Sequence, residues 1–552
     1  MIHKLGLTRS ISVPNSNKNS ICLAPIWIIA FSGHRPKPGL AGRSSEDINV
    51  CRNSLSKAFQ SLQEQAAKAE GSCELHCCVA SGADLLAVQI ADDLNMPVHV
   101  ILPLNPDEFA ADFRNEDGSY QDDWSEAKGY IAKANDPTTD WTLRVAASSS
   151  QRPHCYHDTG LQMLESADVL VAIWDGVCTD SMGGTSEVVE MANESHLNIP
   201  TFLINPAKEG KIVKTASLEL SGSSDTWLKK INDDIADQDL VTQGKATEES
   251  ISPSIHTVFS AVDSIARSSS RAFRNSLRRS IWLHFWATVL ATITAAYAKV
   301  LVGNWGAVPK FLTAFELALV VYAFWLVWTA SRRHQNSRWR RSRLAAQISD
   351  SIIQSACLVD PLQPIVVRHD ELWKRFALAT ALTAEREKNK QFATASTEGR
   401  LKTLSDDYIK QRLRRQLDYF REECEKAERL AHIWARIAKA ASFLAIPAIL
   451  AALILKVFVK GAGKDWTTAP FVFGLPILLP LTAGLASSLL GIDDASRRAI
   501  RYKQVSQRLE RYADLFPNLV TDTSIQRVVL DVEDILLDEV IGWHASAESM
   551  GH

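Results

Sequence analysis

Four apolar segments, each about 20 residues long, constrain this 552-residue chain more than any other feature. They are "SIWLHFWATVLATITAAYAKVLV" (about 280–302), "FLTAFELALVVYAFWLVWTA" (311–330), "AASFLAIPAILAALILKVFV" (440–459) and "APFVFGLPILLPLTAGLASSLLG" (469–491). As helices, each is long enough to cross ~30 Å of hydrocarbon. Core helices of a soluble all-α domain are the alternative, and the flanking charges oppose it. Arg271, Arg274, Arg278 and Arg279 precede the first segment, and Arg332, Arg333, Arg338, Arg340, Arg341 and Arg343 follow the second. The loop between them carries only Lys310. The second pair votes the same way more weakly, because Lys460 and Lys464 lie in its loop. Positive residues stay on the cytoplasmic side. The expectation is therefore an all-α region with four transmembrane helices, multi-pass in the cell inner membrane, with the N- and C-termini cytoplasmic.

Within the spans, Glu316 is a functional candidate, since a carboxylate at mid-bilayer costs ~2.5–3.5 kcal/mol. It could line a pore, pair with His284, or stay protonated inside the bundle. Pro447, Pro476 and Pro480 should kink their helices. Gly484, Ser488 and Gly491 would allow close helix contact. Before the third span, Ser405 reads as the N-cap of a long helix. Its apolar positions Leu413, Leu417, Phe420, Cys424, Ala427, Ala431 and Trp434 form a heptad seam. The seam could pack within the chain or on another subunit. The two hairpins recur at an offset of about 160 residues, which suggests a duplicated two-span unit.

The N-terminal part has a different pattern. Residues 1–24 are polar and read as a disordered lead. From 25 to 206 short apolar runs, "IWIIAF" (26–31), "ELHCCVA" (74–80), "VHVILPL" (98–104), "DVLVAIW" (168–174) and "IPTFLI" (199–204), alternate with helix candidates near 45–69, 84–95, 106–113, 155–167 and 185–197. That alternation predicts α/β architecture: a Rossmann-like parallel sheet with helices on both faces. The polar 114–150 stretch reads as an insertion or lid. Residues 207–255 read as a linker, 256–357 and 405–546 as the two-span units with flanking helices, and 358–404 as a connecting segment. Residues 26–205 hold 26 acidic against 11 basic residues, which opposes nucleic acid as a partner. Nine scattered cysteines show no zinc spacing; no metal is expected, and the thiols read as reduced and buried.

In an open parallel sheet, ligands bind beyond the carboxyl ends of the strands. Four turns fall there. "FSGHRPKPG" places Ser32, Gly33, His34 and Arg35 after the first strand, and "ASGADLLA" places Ser81, Gly82 and Asp84 after the second. "PLNPDEF" places Leu104 after the third, and "WDG…MGGTSE" brings Asp175, Gly176, Gly183, Gly184, Thr185 and Glu187. Glycine lets backbone N–H groups approach an anion, and a helix start adds free donors and a positive dipole end. Thr185 could cap its helix and donate to a phosphate. Arg35 would add a positive fork, and Asp175 or Glu187 could accept from a ribose hydroxyl or a base amino group. Together these residues describe a cradle for a nucleotide-derived ligand, with no other cofactor.

"FSGHRP", "SGADLLAVQIADDL", "VHVILPLNPDEF" and "GLQMLESADVLVAIWDG…GGTSEVVEMA" resemble the SLOG superfamily, related to the cytokinin-activating LOG enzymes and to DprA. The membrane half resembles SLATT-type effector domains, on the pattern of two spans with flanking helices and on "YIKQRLRRQLDYF" (408–420). This combination implies a sensor of a nucleotide second messenger, oligomeric, that drives a membrane effector in bacterial antiviral defence. LOG enzymes carry Pro-Gly-Gly-x-Gly-Thr-x-x-Glu, with the carboxylate three residues past the threonine. Here Val188 holds that place, Glu187 stands one residue early and Met182 precedes the glycine pair. The departure weakens the alternative of a membrane-tethered phosphoribohydrolase or nucleosidase, so no catalytic residue is assigned. A channel or transporter with a regulatory soluble domain is a further reading.

Overall fold

The computed structural model describes residues 22–549, apart from 34–44, 116, 147–150, 180–181, 195–196, 207–210, 215–219, 221–225, 243–253, 305–307, 360–370, 393–399, 460–467, 469 and 520. The disordered lead expected for 1–24 lies almost wholly outside the described residues. The chain forms two compact units: Met1–Val262 with Pro361–Ala395, and Asp263–Asp360 with Ser396–His552.

The first unit is built on a seven-stranded sheet: β1 (Ile26–Gly33), β2 (Ser72–Cys77), β3 (Val98–Leu102), β4 (Thr142–Val145), β5 (Val169–Ile173), β6 (Thr201–Asn205) and β7 (Lys211–Lys214). Their spatial order is β4-β3-β2-β1-β5-β6-β7. The first six are parallel and β7 is antiparallel to β6. The expected strands are present because each is an apolar run that the two covering layers can bury; β1, β3 and β5 are almost wholly enclosed. The helices are α1 (Ser45–Lys68), α2 (Ala83–Asp93), α3 (Pro106–Phe109), α4 (Asp122–Ala134), α5 (Arg152–Ser166), α6 (Thr185–Asn193) and α7 (Thr226–Thr242).

The 114–150 stretch is not an irregular lid. It supplies α4 and the edge strand β4, which pairs with β3 from His99↔Thr142 to Leu102↔Val145. Likewise, β7 and α7 fall within the stretch expected as a linker.

Side chains alternate across the sheet. On one face Trp27, Ile29, Phe31, Leu75 and Cys77 pack with Leu55, Phe59 and Leu62 of α1. The opposite face sets the polar Glu74, His76, His99 and Thr142 among Ile28, Ala30, Ile101 and Leu170, all buried. Ser166 of α5 meets His76 there at 3.2 Å. Further cover comes from the segment between the two hairpins, 371–392, which forms α11 (Glu371–Phe392) and belongs to the first unit. Asp168 accepts from Lys374 Nζ at 2.9 Å, Arg375 Nη1 at 2.6 Å and the Ile28 N–H at 2.8 Å. Arg386 pairs with Glu74. Burial alone would raise the Asp168 carboxyl; Lys374 and Arg375 hold it below the usual range.

The second unit takes in α8 (Ile255–Asn304) from Asp263 onward, then α9 (Val308–Arg332), α10 (Gln335–Ser355), α12 (Arg400–Tyr408), α13 (Arg415–Phe458), α14 (Leu475–Asp493), α15 (Ala495–Leu515) and α16 (Asp522–Ser549). A π turn at Ile409–Arg414 joins α12 to α13, so Ser405 lies inside a helix that starts at Arg400 rather than capping it. The heptad seam packs within the chain. Leu413, Leu417, Phe420 and Cys424 share a core with Tyr502, Val505, Leu509, Val529 and Val532.

Three described helices, not four, are long and apolar enough to cross a membrane: Lys310–Arg332, Thr403–Phe458 and Pro470–Leu515. The expected first span lies in α8, which carries His284, Thr288, Thr292 and Thr294; its side chains from 296 onward lie outside the described residues. The threonine hydroxyls donate to carbonyls of their own helix at 2.8–2.9 Å. The apolar windows of the three spans are only 11–17% buried, with Phe324, Phe443 and Phe458 turned outward. A water-soluble bundle would bury those side chains. Pro447 and Pro480 sit inside helices. A side chain built on Gly484 or Gly491 would meet nothing within 4 Å, so these glycines mediate no close approach in the monomer.

Candidate functional site

In the first unit the strand order reverses between β1 and β5, and the crevice at their carboxyl ends is where an open α/β sheet takes a ligand. A cleft of about 540 Å³ lies there. Register sets it up: Ser32 pairs with Ala172 and Gly33 with Ile173, so both strands end at one level.

Seven of the expected residues line this cleft: Ser32, Gly33, Asp84, Asp175, Gly183, Gly184 and Thr185. Ser32 Oγ donates to Thr185 Oγ1 at 3.4 Å, which ties the end of β1 to the start of α6. Thr185 is the first residue of α6, and Gly184, not Thr185, holds the cap position. Asp84 is buried in the first turn of α2, and its Oδ2 accepts the Ala80 N–H at 3.4 Å. Asp175 folds its own turn, with Oδ1 accepting from the Val177 N–H at 2.9 Å.

Five expected residues do not line it. Ser81 donates to Asp123, Gly82 caps α2 at φ 98°, Leu104 is buried in the core, and Gly176 turns the chain at φ 88° with open space about it. Glu187 is engaged on both oxygens: Oε2 accepts from the Gly183 N–H, and Oε1 meets His157 Nδ1 at 2.9 Å. One of the bare amides expected for the ligand is thus held by the protein itself. His34 and Arg35 lie outside the described residues.

The glycine at 183 also has a packing reason. Its φ is +78°, and a Cβ there would come within 2.3 Å of Tyr156 Cβ. The turn is bare because it lies against α5. Sequence reasoning missed that α5 forms a wall of the cleft through Arg152, Tyr156, Gly160 and Met163. Arg152 pairs with Asp112 and donates to the Glu108 carbonyl at 3.2 Å, while Tyr156 donates to Asp112. Among the described lining residues Arg152 is the cation. Only its place at the start of a helix that follows a strand could have flagged it.

The remaining expected residue, Glu316, sits on α9 beside Lys310 and Leu317 around a shallow depression. His284 instead meets the Ser280 carbonyl of its own helix at 2.8 Å. Cys22 and Cys178 are exposed, contrary to uniform burial of the thiols.

The second unit holds a buried charge cluster. Arg412 grips Glu533 with two bonds, Nε to Oε1 at 2.9 Å and Nη2 to Oε2 at 2.7 Å. Tyr408 donates to the same Oε1 at 2.8 Å, and Asp350 takes the other side of the guanidinium. This ties the π turn that leads into α13 to α16, the last long helix.

Residues 408–543 match the family model described as SMODS and SLOG-associating 2TM effector domain 1.

No curated protein and no solved structure matches the chain. The matched 2TM effector domain contains two of the three candidate spans, in agreement with its description. It opens at Tyr408, in the buried charge cluster, and closes at Trp543, whose ring lies 4.9 Å from that of Trp339. Arg412 and Glu533 both lie inside it, so the bidentate pair is an internal brace of the effector domain.

Proposed function

We propose that the protein is a membrane effector of a bacterial antiviral defence system, governed by a nucleotide-derived second messenger bound in the cleft of its α/β unit. One observation carries the reading. A cleft at the strand-order reversal, rimmed by Ser32, Gly33, Gly184 and Thr185, occurs in the same chain as a 2TM effector domain. The starts of α2 and α6 suit phosphate oxygens, and Asp84 and Asp175 suit ribose hydroxyls or base amino groups. The chain order supplies a route for coupling. It leaves the α/β unit for the first hairpin, returns to it for 361–395, and leaves again for the effector domain. A ligand favouring one arrangement of the α/β unit would bias both connections, provided it binds that arrangement more tightly. The output is membrane permeabilisation at the inner membrane by an oligomer.

The test is calorimetric titration of cyclic and ADP-ribose-derived nucleotides against the full chain in lipid nanodiscs. The full chain is needed because α11 is part of the α/β unit. Binding that is lost in Thr185→Arg supports the reading. No binding to folded protein overturns it, and turnover of a nucleoside monophosphate would move the assignment to the hydrolase alternative.

A further inference from the structure

One end of the first hairpin carries a feature that neither the cleft nor the effector domain uses. A cavity of about 510 Å³ opens between α8 and α9. Its α8 wall is a single stripe, Asn275, Arg278, Arg279, Trp282 and Trp286, at three- and four-residue spacing. Tyr322 of α9 faces it. The two guanidiniums stand at one end; the indoles continue about 10 Å along the helix toward the apolar half. Phe285 fixes the indoles by edge-on contacts, at 5.8 Å to Trp282 and 5.5 Å to Trp286.

We propose that this cavity binds an anionic phospholipid, with its phosphate on Arg278 and Arg279 and its acyl chain along Trp282, Trp286 and Tyr322. Charge decides the class of lipid. Between Asp263 and Asp350 the sequence has thirteen arginines and lysines and one carboxylate, Glu316. A zwitterionic head group would bring its cation into that field without a counter-charge. An anionic one meets a planar fork suited to phosphate, at the depth where aromatic side chains favour the membrane interface. Free phosphate would satisfy the guanidiniums but gain nothing from the indoles. The inference uses the membrane-effector reading only to place the hairpin beside a bilayer.

The experiment places the full chain in nanodiscs of equal phosphatidylglycerol and phosphatidylcholine and counts retained lipid by native mass spectrometry. Phosphatidylglycerol should be enriched, and the preference should fall about fivefold for each arginine removed in Arg278→Gln and Arg279→Gln. Lys229→Gln, at an exposed position of α7 in the other unit, should not change it. Brominated phosphatidylglycerol should quench indole fluorescence more than brominated phosphatidylcholine, and Trp282→Phe with Trp286→Phe should remove the difference. Equal retention of the two lipids, or displacement by free glycerol phosphate, overturns the site while leaving the membrane-effector reading intact. A full chain that does not partition into membranes overturns both.

Discussion

Asp168 and Arg375, 207 residues apart in sequence, form a buried ion pair of 2.6 Å at the foot of the sheet. The same carboxylate caps the Ile28 N–H and takes Lys374, so one side chain joins β1, β5 and α11. Removing Arg375 leaves the buried carboxylate only Lys374 and one amide, at a cost of up to about 3–5 kcal/mol. Arg375→Met should therefore lower the unfolding temperature of the α/β unit strongly. The double change Asp168→Leu with Arg375→Met should cost clearly less than the sum of the two singles, although it also strands Lys374 and the Ile28 N–H. Additive losses, read by differential scanning calorimetry, would show that α11 is not held by this pair.

The polar face under α11 makes the first unit sensitive to acid above the carboxylate range. His76 is wholly buried, and burial, then Arg144, lowers it to about 3; His99 is lowered well below its usual value by burial and by His76. Both are therefore neutral when folded, whereas unfolded histidine takes up a proton near pH 6.5. Their contribution is complete above pH 6.5 and is lost as pH falls below it, for His76 down to about 3 at ~1.4 kcal/mol per unit. Glu74, raised by burial against the pull of Arg386, acts in the opposite sense. Thermal melts at pH 7, 6 and 5 should thus drop progressively, and His76→Gln should flatten the slope. A slope that the substitution leaves unchanged would assign the acid response to other groups.

Gly183 is set by the helix beside it. Alanine there must adopt φ near +78° and place a methyl against Tyr156 Cβ. The expected cost is at least ~1 kcal/mol for the backbone, before the clash. Gly183→Ala should therefore lower stability and deform the cleft together. The neighbouring tie should behave as a unit: Glu187→Gln and His157→Ala should each cost about 1 kcal/mol, and the double variant clearly less than their sum. Additive losses would mean that the two side chains act independently.

The central strands were legible because each is an apolar run long enough to be buried on both faces. The edge strand "TLRV" was not, since Arg144 breaks the run and its charge is balanced by Glu165 of α5 and by Glu385 of α11. The partnership with Glu385 joins residues more than 200 positions apart and leaves no periodic trace. The turns of the cleft were legible as places where glycine precedes a helix. Their local chemistry was not: whether Glu187 faces a ligand or its own Gly183 depends on where α5 lies, and a single sequence does not carry that. The membrane spans were legible from length and flanking arginines. The first runs past residue 295, where its side chains lie outside the described residues.

The Arg412–Glu533 brace gives a prediction specific to the effector domain. Its two bonds, with Tyr408 and Asp350 on the remaining sites, are satisfied only together, and Glu533 is wholly buried. Arg412→Lys keeps the charge but cannot make the fork, so it should lose most of the benefit. Arg412→Ala should cost about 3–5 kcal/mol and release α16, because the buried Glu533 carboxylate keeps only the Tyr408 hydroxyl. Glu533→Gln should be milder, since the amide can still accept from Arg412. Hydrogen exchange of α16 in the full chain distinguishes these cases. Protection of 522–549 should fall in the order wild type, Glu533→Gln, Arg412→Ala, with the first unit unchanged. If α16 stays protected in Arg412→Ala, the hydrophobic contacts of Val529, Val532 and Leu536 hold it alone and the charge cluster is not its anchor.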